Sequence, residues 1–303
     1  MSCNTDKICE DVSCEPLPDY SHSVQVTNIW AVGNCGLTPS NPNAKAVADL
    51  INNSLCDRLL ALGNLRYTDP YSATVGQLYN RLFLSKKLHP IPGNEDWDFN
   101  DLDDYELFFG VPRNHIVRVG DLEIYMLDSG WKSDYSTNYE DDNEEGKFID
   151  TDPRGYGLGF TFEGGSDKWS NFVVQAKAST AKHKIVCIHQ PPYCSGNSNW
   201  GDVEVSTWGS HLKLRWEAFR RLGIKAVFSS HENVYERLCV DGIPYVVSGL
   251  GGAGLGTFGS PPLSESIVRH NESYGAVQIT ATPDRLFCRF VTVSNQVRDT
   301  FEL

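Results

Sequence analysis

The sequence predicts an α/β domain, and three observations carry that prediction. Strand-like and helix-like stretches alternate through residues 24–85. Two apolar runs further on, residues 185–188 and 226–228, each stop abruptly at a polar turn bearing one histidine, His189 and His231. Three segments end in Gly-Asn, at Gly33-Asn34, Gly63-Asn64 and Gly93-Asn94. In open α/β sheets, sites form outside the carboxyl ends of the strands. Turn chemistry alone also selects Gly and Asn, so the pairs mark strand ends whether or not they mark a site.

In chain order, residues 1–22 are polar, hold Pro16 and Pro18, and show no periodicity. They read as an extended N-terminal arm, with one domain over residues 23–303. Residues 24–32 read as the first strand. Residues 43–52 place Ala44, Val47, Ala48 and Ile51 on one helical face. Residues 59–62 form a short apolar strand and 75–85 a second helix. An acidic stretch at 98–104 precedes Tyr105-Glu106-Leu107-Phe108-Phe109. Residues 116–119 and 122–127 pair as a hairpin turning at Gly120-Asp121. Residues 129–166 are loop-rich; their acidic run at 140–145 reads as a solvated face, because no calcium loop is complete. Helices at 166–179 and 208–222 precede the two histidine-bearing strands. Residues 243–247 run into Gly249, Gly251, Gly252, Gly254 and Gly256, and residues 275–303 alternate as strands packed on one side.

Composition excludes some functions. The chain has 303 residues, 40% hydrophobic and 21% charged, with a net charge of −13. A chain this acidic lacks the basic face that a phosphate backbone demands, so no nucleic-acid partner is expected. It is also unsuited to anionic lipid. No run reaches the ~20 apolar residues of a membrane span, and the N-terminus has no signal-peptide pattern. A virion component satisfies that description. The nine cysteines are an odd count, which fits free thiols better than a full disulfide framework. Cys3, Cys9 and Cys14 lack the paired spacing of a zinc site.

Several motifs resemble one family. Residues 189–196, His-Gln-Pro-Pro-Tyr-Cys-Ser-Gly, resemble the His-His-Pro-Pro-Tyr-Ser-Ser-Gly of the calcineurin-like metallophosphoesterases, purple acid phosphatase-like branch. Residues 230–237 resemble that family's Gly-His-x-His-x-Tyr-Glu-Arg. Gly93-Asn94-Glu95-Asp96-Trp97 resembles its Gly-Asn-His-Asp-Trp. Leu127-Asp128-Ser129, the glycine-rich stretch from Tyr245 to Ala253 and the closing Asp299-Thr300-Phe301-Glu302-Leu303 are similar too. The resemblance implies a two-layer metallophosphatase β-sandwich flanked by helices. It also implies strand-end loops holding two metal ions that activate a water against a phosphate ester.

This sequence departs from the implied ligand set. The first metal-binding Asp falls on Asn34, the bridging Asp on Asn64, the second His of the signature on Asn233, and the catalytic His on Glu95. Asn94, His189 and His231 match. Tyr67 stands where the purple branch has its iron-ligating Tyr. Two dications at ~3.5–4 Å separation need a bridging anion, and neutral amides do not supply one. The expectation is therefore a metallophosphatase-fold protein without the dinuclear centre or its cofactors. It would be non-catalytic, with a structural or binding role among protein partners or in self-assembly, as in a virion or tail fibre. The alternative is a residual acid phosphatase-like phosphoesterase hydrolysing phosphate monoesters with one divalent ion at Asn94, His189, His231 and Glu95. A further reading keeps the old pocket for a sugar or phosphorylated ligand, lined by Tyr67, Tyr193, Trp208 and Tyr235.

Overall fold

The computed structural model describes residues 26–97, 102–129, 167–196 and 219–303. The predicted arm, the loop-rich stretch from residue 130, and Trp208 with most of the helix expected around it lie outside the described residues.

Two sheets face each other. The first uses β1 (Thr27–Val32), β2 (Arg58–Leu62), β3 (Leu88–Ile91), β11 (Gly275–Ala281), β12 (Leu286–Thr292) and β13 (Val297–Glu302), ordered β13-β12-β11-β1-β2-β3. The second uses β4 (His115–Val119), β5 (Leu122–Met126), β6 (His183–Cys187), β7 (Ala226–Ser229), β8 (Tyr235–Val240), β9 (Ile243–Ser248) and β10 (Ser266–His270), ordered β10-β8-β9-β7-β6-β5-β4. Helices α1 (Pro42–Asn52), α2 (Val75–Leu78), α3 (Asn80–Leu84), α4 (Asn94–Trp97) and α5 (Asp103–Phe109) connect strands of the first half, and α6 (Asp167–Ala178) precedes β6.

Strand alternation builds the layers. In β1, Ile29 and Ala31 point between the sheets, where they meet Ile124, Met126, Ile185, Cys187, Phe228 and Val246. Trp30 and Val32, on the other face, pack on Ala44, Val47, Ala48 and Ile51 of α1, the helical face read from the sequence. The outer face of the second sheet, through Val186, Val227 and Tyr245, is covered by Phe172 and Ala176 of α6 and by Phe219 and Leu222. Each such fully buried aliphatic side chain contributes roughly 1.5–3 kcal/mol. The result is a sandwich flanked by helices, as expected.

Local signals explain most boundaries. Asn41 caps α1, its side-chain oxygen accepting the backbone N–H of Asn43 and of Ala44, both at 3.0 Å, with Pro42 opening the helix. The single helix expected over 75–85 is two short ones. Tyr79 breaks it at φ −117°, ψ 29°, where its ring is wholly buried beneath α1, and packing outweighs local periodicity. Cys35, Cys56, Cys187, Cys194 and Cys288 are buried free thiols, as the odd count suggested, but Cys239 is disulfide-bonded.

β1, β2 and β3 run parallel, as do β5, β6, β7 and β9, so their carboxyl ends lie at common sheet edges. A backbone bond stitches the two edges together, Gly33 N–H donating to the Ser248 carbonyl at 2.9 Å, and within the first sheet Asn34 N–H donates to the Gly63 carbonyl at 3.0 Å.

Candidate functional site

The strand ends bring Asn34 (after β1), Asn64 (after β2), Asn94 (after β3), His189 (after β6) and His231 (after β7) into one cluster. The backbone there turns sharply: Asn34, Asn64 and His231 sit in the left-handed region at φ 55°, 54° and 60°. Asn and Asp both tolerate that region, so the backbone accepts either at the first two positions. Close packing fixes the neighbours. A Cβ on Gly33 would overlap the Ser230 hydroxyl, and one on Gly251 would overlap the Gly33 carbonyl. Gly249, Gly251 and Gly252 after β9 are therefore explained by backbone approach, while Gly254 is not so constrained.

A continuous chain of hydrogen bonds joins four loops. Asn94 Nδ2 donates to Glu95 Oε1 at 3.0 Å. Glu95 N–H donates to Asn64 Oδ1 at 3.0 Å. Asn64 Nδ2 donates to Asn34 Oδ1 at 3.2 Å. Asn34 Nδ2 then donates to Asn233 Oδ1 and to the His231 carbonyl, both at 2.9 Å, with the Gly249 carbonyl at 3.3 Å. Asn34, Asn64 and Asn94 are buried.

These residues do not fit a two-metal centre. The amide N–H groups of Asn34 and Asn64 point into the cluster and are spent on neighbouring oxygens, whereas a cation there needs lone pairs and negative charge. Among the described residues, no group of three or more His, Cys, Asp and Glu is placed to hold a metal ion.

The two histidines form a second part. His189 Nδ1–H donates to the Leu62 carbonyl at 2.7 Å, and the Ser230 hydroxyl donates to the same oxygen. That leaves the Nε2 lone pair of His189 facing Asn94 Oδ1 at 3.0 Å. His231 Nδ1 lies 3.0 Å from Asn94 Oδ1 and 3.3 Å from His189 Nε2, so one shared N–H on His231 satisfies both acceptors. Burial holds both imidazoles neutral: His231 is pushed down to about 4, and His189 well below its ordinary value, with His231 adding to the effect. One proton on His231 Nδ1 thus faces two converging acceptors, Asn94 Oδ1 and His189 Nε2.

The remaining predicted residues divide. Tyr67 lies beside the cluster: its hydroxyl is pushed up by burial, then by the Glu95 carboxylate, while a hydrogen bond with Asn64 opposes the rise. A phenol held protonated in this way is a donor rather than an anionic ligand. Tyr235 does not line a pocket. It is fully buried between the sheets, stacked on Phe290 at 4.1 Å, its hydroxyl donating to Asp299. A strand position facing the sandwich excludes it from any surface cleft. Tyr193 packs against Tyr245, centroids 4.9 Å apart, on the outer face of the second sheet.

Sequence reasoning passed over Asp96. It is wholly buried, accepts N–H bonds from Gly93 (2.7 Å) and Leu65 (3.1 Å), and takes the Tyr71 hydroxyl at 3.0 Å. It therefore pins the β2 loop to the β3 loop. Its place within the Gly-Asn-x-Asp-Trp resemblance was the available signal.

A search of curated proteins found no match. Among solved structures, the chain is similar to a purple acid phosphatase from yellow lupin (Lupinus luteus), with TM-score 0.68 and 15% identity, covering 92% of this chain and 54% of that one. The chain thus spans about half the length of the lupin enzyme. It is also similar to GAP50 of Plasmodium (TM-score 0.64, 14% identity, 92% of this chain and 88% of that one). A dimetal phosphatase from Danio rerio gives TM-score 0.53 and 10% identity, over 91% of this chain and 98% of that one. At these identities the likenesses show the fold. The model of the calcineurin-like phosphoesterase family matches residues 39–235, well over half of the chain, and the chain belongs to that family.

Proposed function

We propose that this chain is a non-catalytic member of its family with a structural or binding role. The carrying observation is the hydrogen-bond relay from Asn94 through Glu95, whose backbone N–H makes the link, to Asn64, Asn34 and Asn233. It ties together the loops that carry the metals elsewhere in the family, and it does so with neutral amides. The family's chemistry needs a metal-activated water and positive charge to bind a phosphate. Here the groups brought together are neutral apart from the Glu95 carboxylate, which suits an uncharged ligand such as a sugar better than a phosphate. A same-fold structure from Plasmodium is described as the anchor in the inner membrane complex, so an assembly role is one this fold serves. A virion or tail-fibre component is a role of the same kind.

The test is elemental analysis of the native chain together with turnover of a generic aryl phosphate. Substoichiometric metal and no turnover above background, unchanged by His231→Ala, is the expected result. One metal per chain with turnover abolished by His231→Ala would overturn it.

A second reading is favoured by one specific observation, the convergence of Asn94 Oδ1, His189 Nε2 and His231 Nδ1. Those three atoms would hold a single divalent ion, with the Glu95 carboxylate, now on Asn94 Nδ2, having to swing in as the fourth ligand. The hydrogen bond from His189 Nδ1 to the Leu62 carbonyl is the orienting contact a ligating histidine usually makes. Such an ion would supply Lewis acidity and a lowered pKa on bound water. Binding would require His231 to move its proton off Nδ1.

A further inference from the structure

The three most exposed large apolar side chains among the described residues are Leu107 (85%), Leu55 (75%) and Leu84 (72%). Leu84 and Leu107 stand on α3 and α5, and Leu55 in the connector from α1 to β2. Single exposed leucines are ordinary; a joined set is not. Contacts join these. Arg81 of α3 donates Nη2 to the Asn52 carbonyl at 3.2 Å, tying α3 to the end of α1 that leads into Leu55. Phe83 of α3 lies parallel to Phe108 of α5, ring centroids 4.6 Å apart at 4°. Leu84 and Leu107 each stand two residues after a buried side chain, Leu82 and Tyr105, which turns them toward solvent on a helix. Leu84 and Leu107 therefore border a band of half-buried phenylalanines, with Leu55 beyond the Asn52 end of α1.

The charges flanking this band differ by side once local ion pairs are set aside. The α5 side carries Asp103, Asp104 and Glu106; the α3 side carries Arg81, Lys86 and Lys87. Asp104 is paired with Arg66 at 3.3 Å, Glu106 with Arg113 at 3.0 Å, and Lys87 with Asp57 at 3.9 Å. Asp103, Arg81 and Lys86 enter no ion pair among the described residues. A patch that is apolar at its centre, acidic at one end and basic at the other is its own complement under a two-fold rotation. A uniformly acidic or basic partner would match one end and be repelled at the other.

We propose that this face docks a second copy of the chain in an isologous dimer, with the α5 end of each copy over the α3 end of the other. Asp103 of one copy then meets Arg81 and Lys86 of the second. The inference does not depend on whether the strand-end site turns over substrate.

The test is sedimentation equilibrium of the full chain at concentrations up to the high micromolar range. The expected result is a reversible dimer. Leu84→Glu and Leu107→Glu should each weaken it by roughly tenfold or more, as expected for a charge placed in an apolar contact. Asp103→Lys should weaken it several-fold, and adding Lys86→Asp to that variant should restore it. Lys86 sits at φ 55°, where Asp is well tolerated. Unchanged circular dichroism checks that the variants fold. A chain that stays monomeric throughout overturns the proposal. So does a dimer indifferent to both leucine substitutions, or a double charge exchange that fails to restore what the single one lost.

Discussion

Asn34 shows how one amide decides the chemistry of the cluster. Its Nδ2 faces three oxygens, on Asn233, His231 and Gly249. Aspartate would keep the left-handed turn but set a carboxylate against those oxygens. Asn34→Asp should therefore cost about 2–4 kcal/mol near pH 7, because the buried charge is unpaired. Urea melts with and without added divalent ion check this; recovery by the ion would show that the loop can still shape a metal position. Asp96 gives a second prediction at this scale. Burial raises its carboxyl to about 7, against which its hydrogen bonds work. The folded chain thus holds a proton that the unfolded chain releases near 4, so this group's contribution to stability is full below pH 4 and declines as pH rises to 7. Asp96→Asn should flatten that slope in melts across the window. The identities of Asn34, Asn64 and Asn233 were legible in the sequence, since an amide in a carboxylate's place announces itself. The relay was not, because which amide faces which depends on four loops meeting in space.

At the scale of elements, long apolar alternation read correctly and short connectors did not. β1, the β4–β5 hairpin and the closing strands follow period-two patterns, β2 is a short continuous apolar run, and α1 follows its helical face. β3, α4, α5, β8 and β10 were not anticipated. β3, Leu-His-Pro-Ile, carries a proline and only four residues, so periodicity has nothing to count. Its strand form comes from pairing with β2. β3 and β4 are the edge strands of their sheets, and His89 on one lies 6.3 Å from His115 on the other, measured between rings. Neither Nε2 has a hydrogen-bond partner among the described residues. Burial, then His115 and Arg58, pushes His89 down to about 4. The unfolded chain takes up a proton near 6.5 that the folded chain refuses until about 4, so stability is lost as pH falls through that window. The loss is roughly 2 kcal/mol once partial exposure is allowed for. His89→Gln should remove this part of the acid sensitivity in thermal melts between pH 4 and 7.

On the scale of the whole molecule, a clasp near the end of the chain joins the two sheets. Asp299 on β13 receives Arg237 Nε at 2.6 Å and Nη2 at 3.0 Å from β8, and the Tyr235 hydroxyl at 2.6 Å. Asp299→Asn leaves a guanidinium short of its counter-charge in a mostly buried place and should cost about 3–5 kcal/mol, read as a lower urea midpoint. The two halves of that clasp lie 62 residues apart, and only the resemblance of both motifs to one family hinted that they meet. The fold was legible for the same reason: strand-end signatures survive where ligands have changed. The amide relay has a consequence of another kind. A centre built on two dications is complete only when loaded, so a population of such chains holds full, half-filled and empty copies in proportions set by metal supply. Asparagine side chains arrive with translation. On the proposed non-catalytic reading, every folded copy would carry the same strand-end loops whatever the metal supply, a uniformity that suits an assembly of many identical copies.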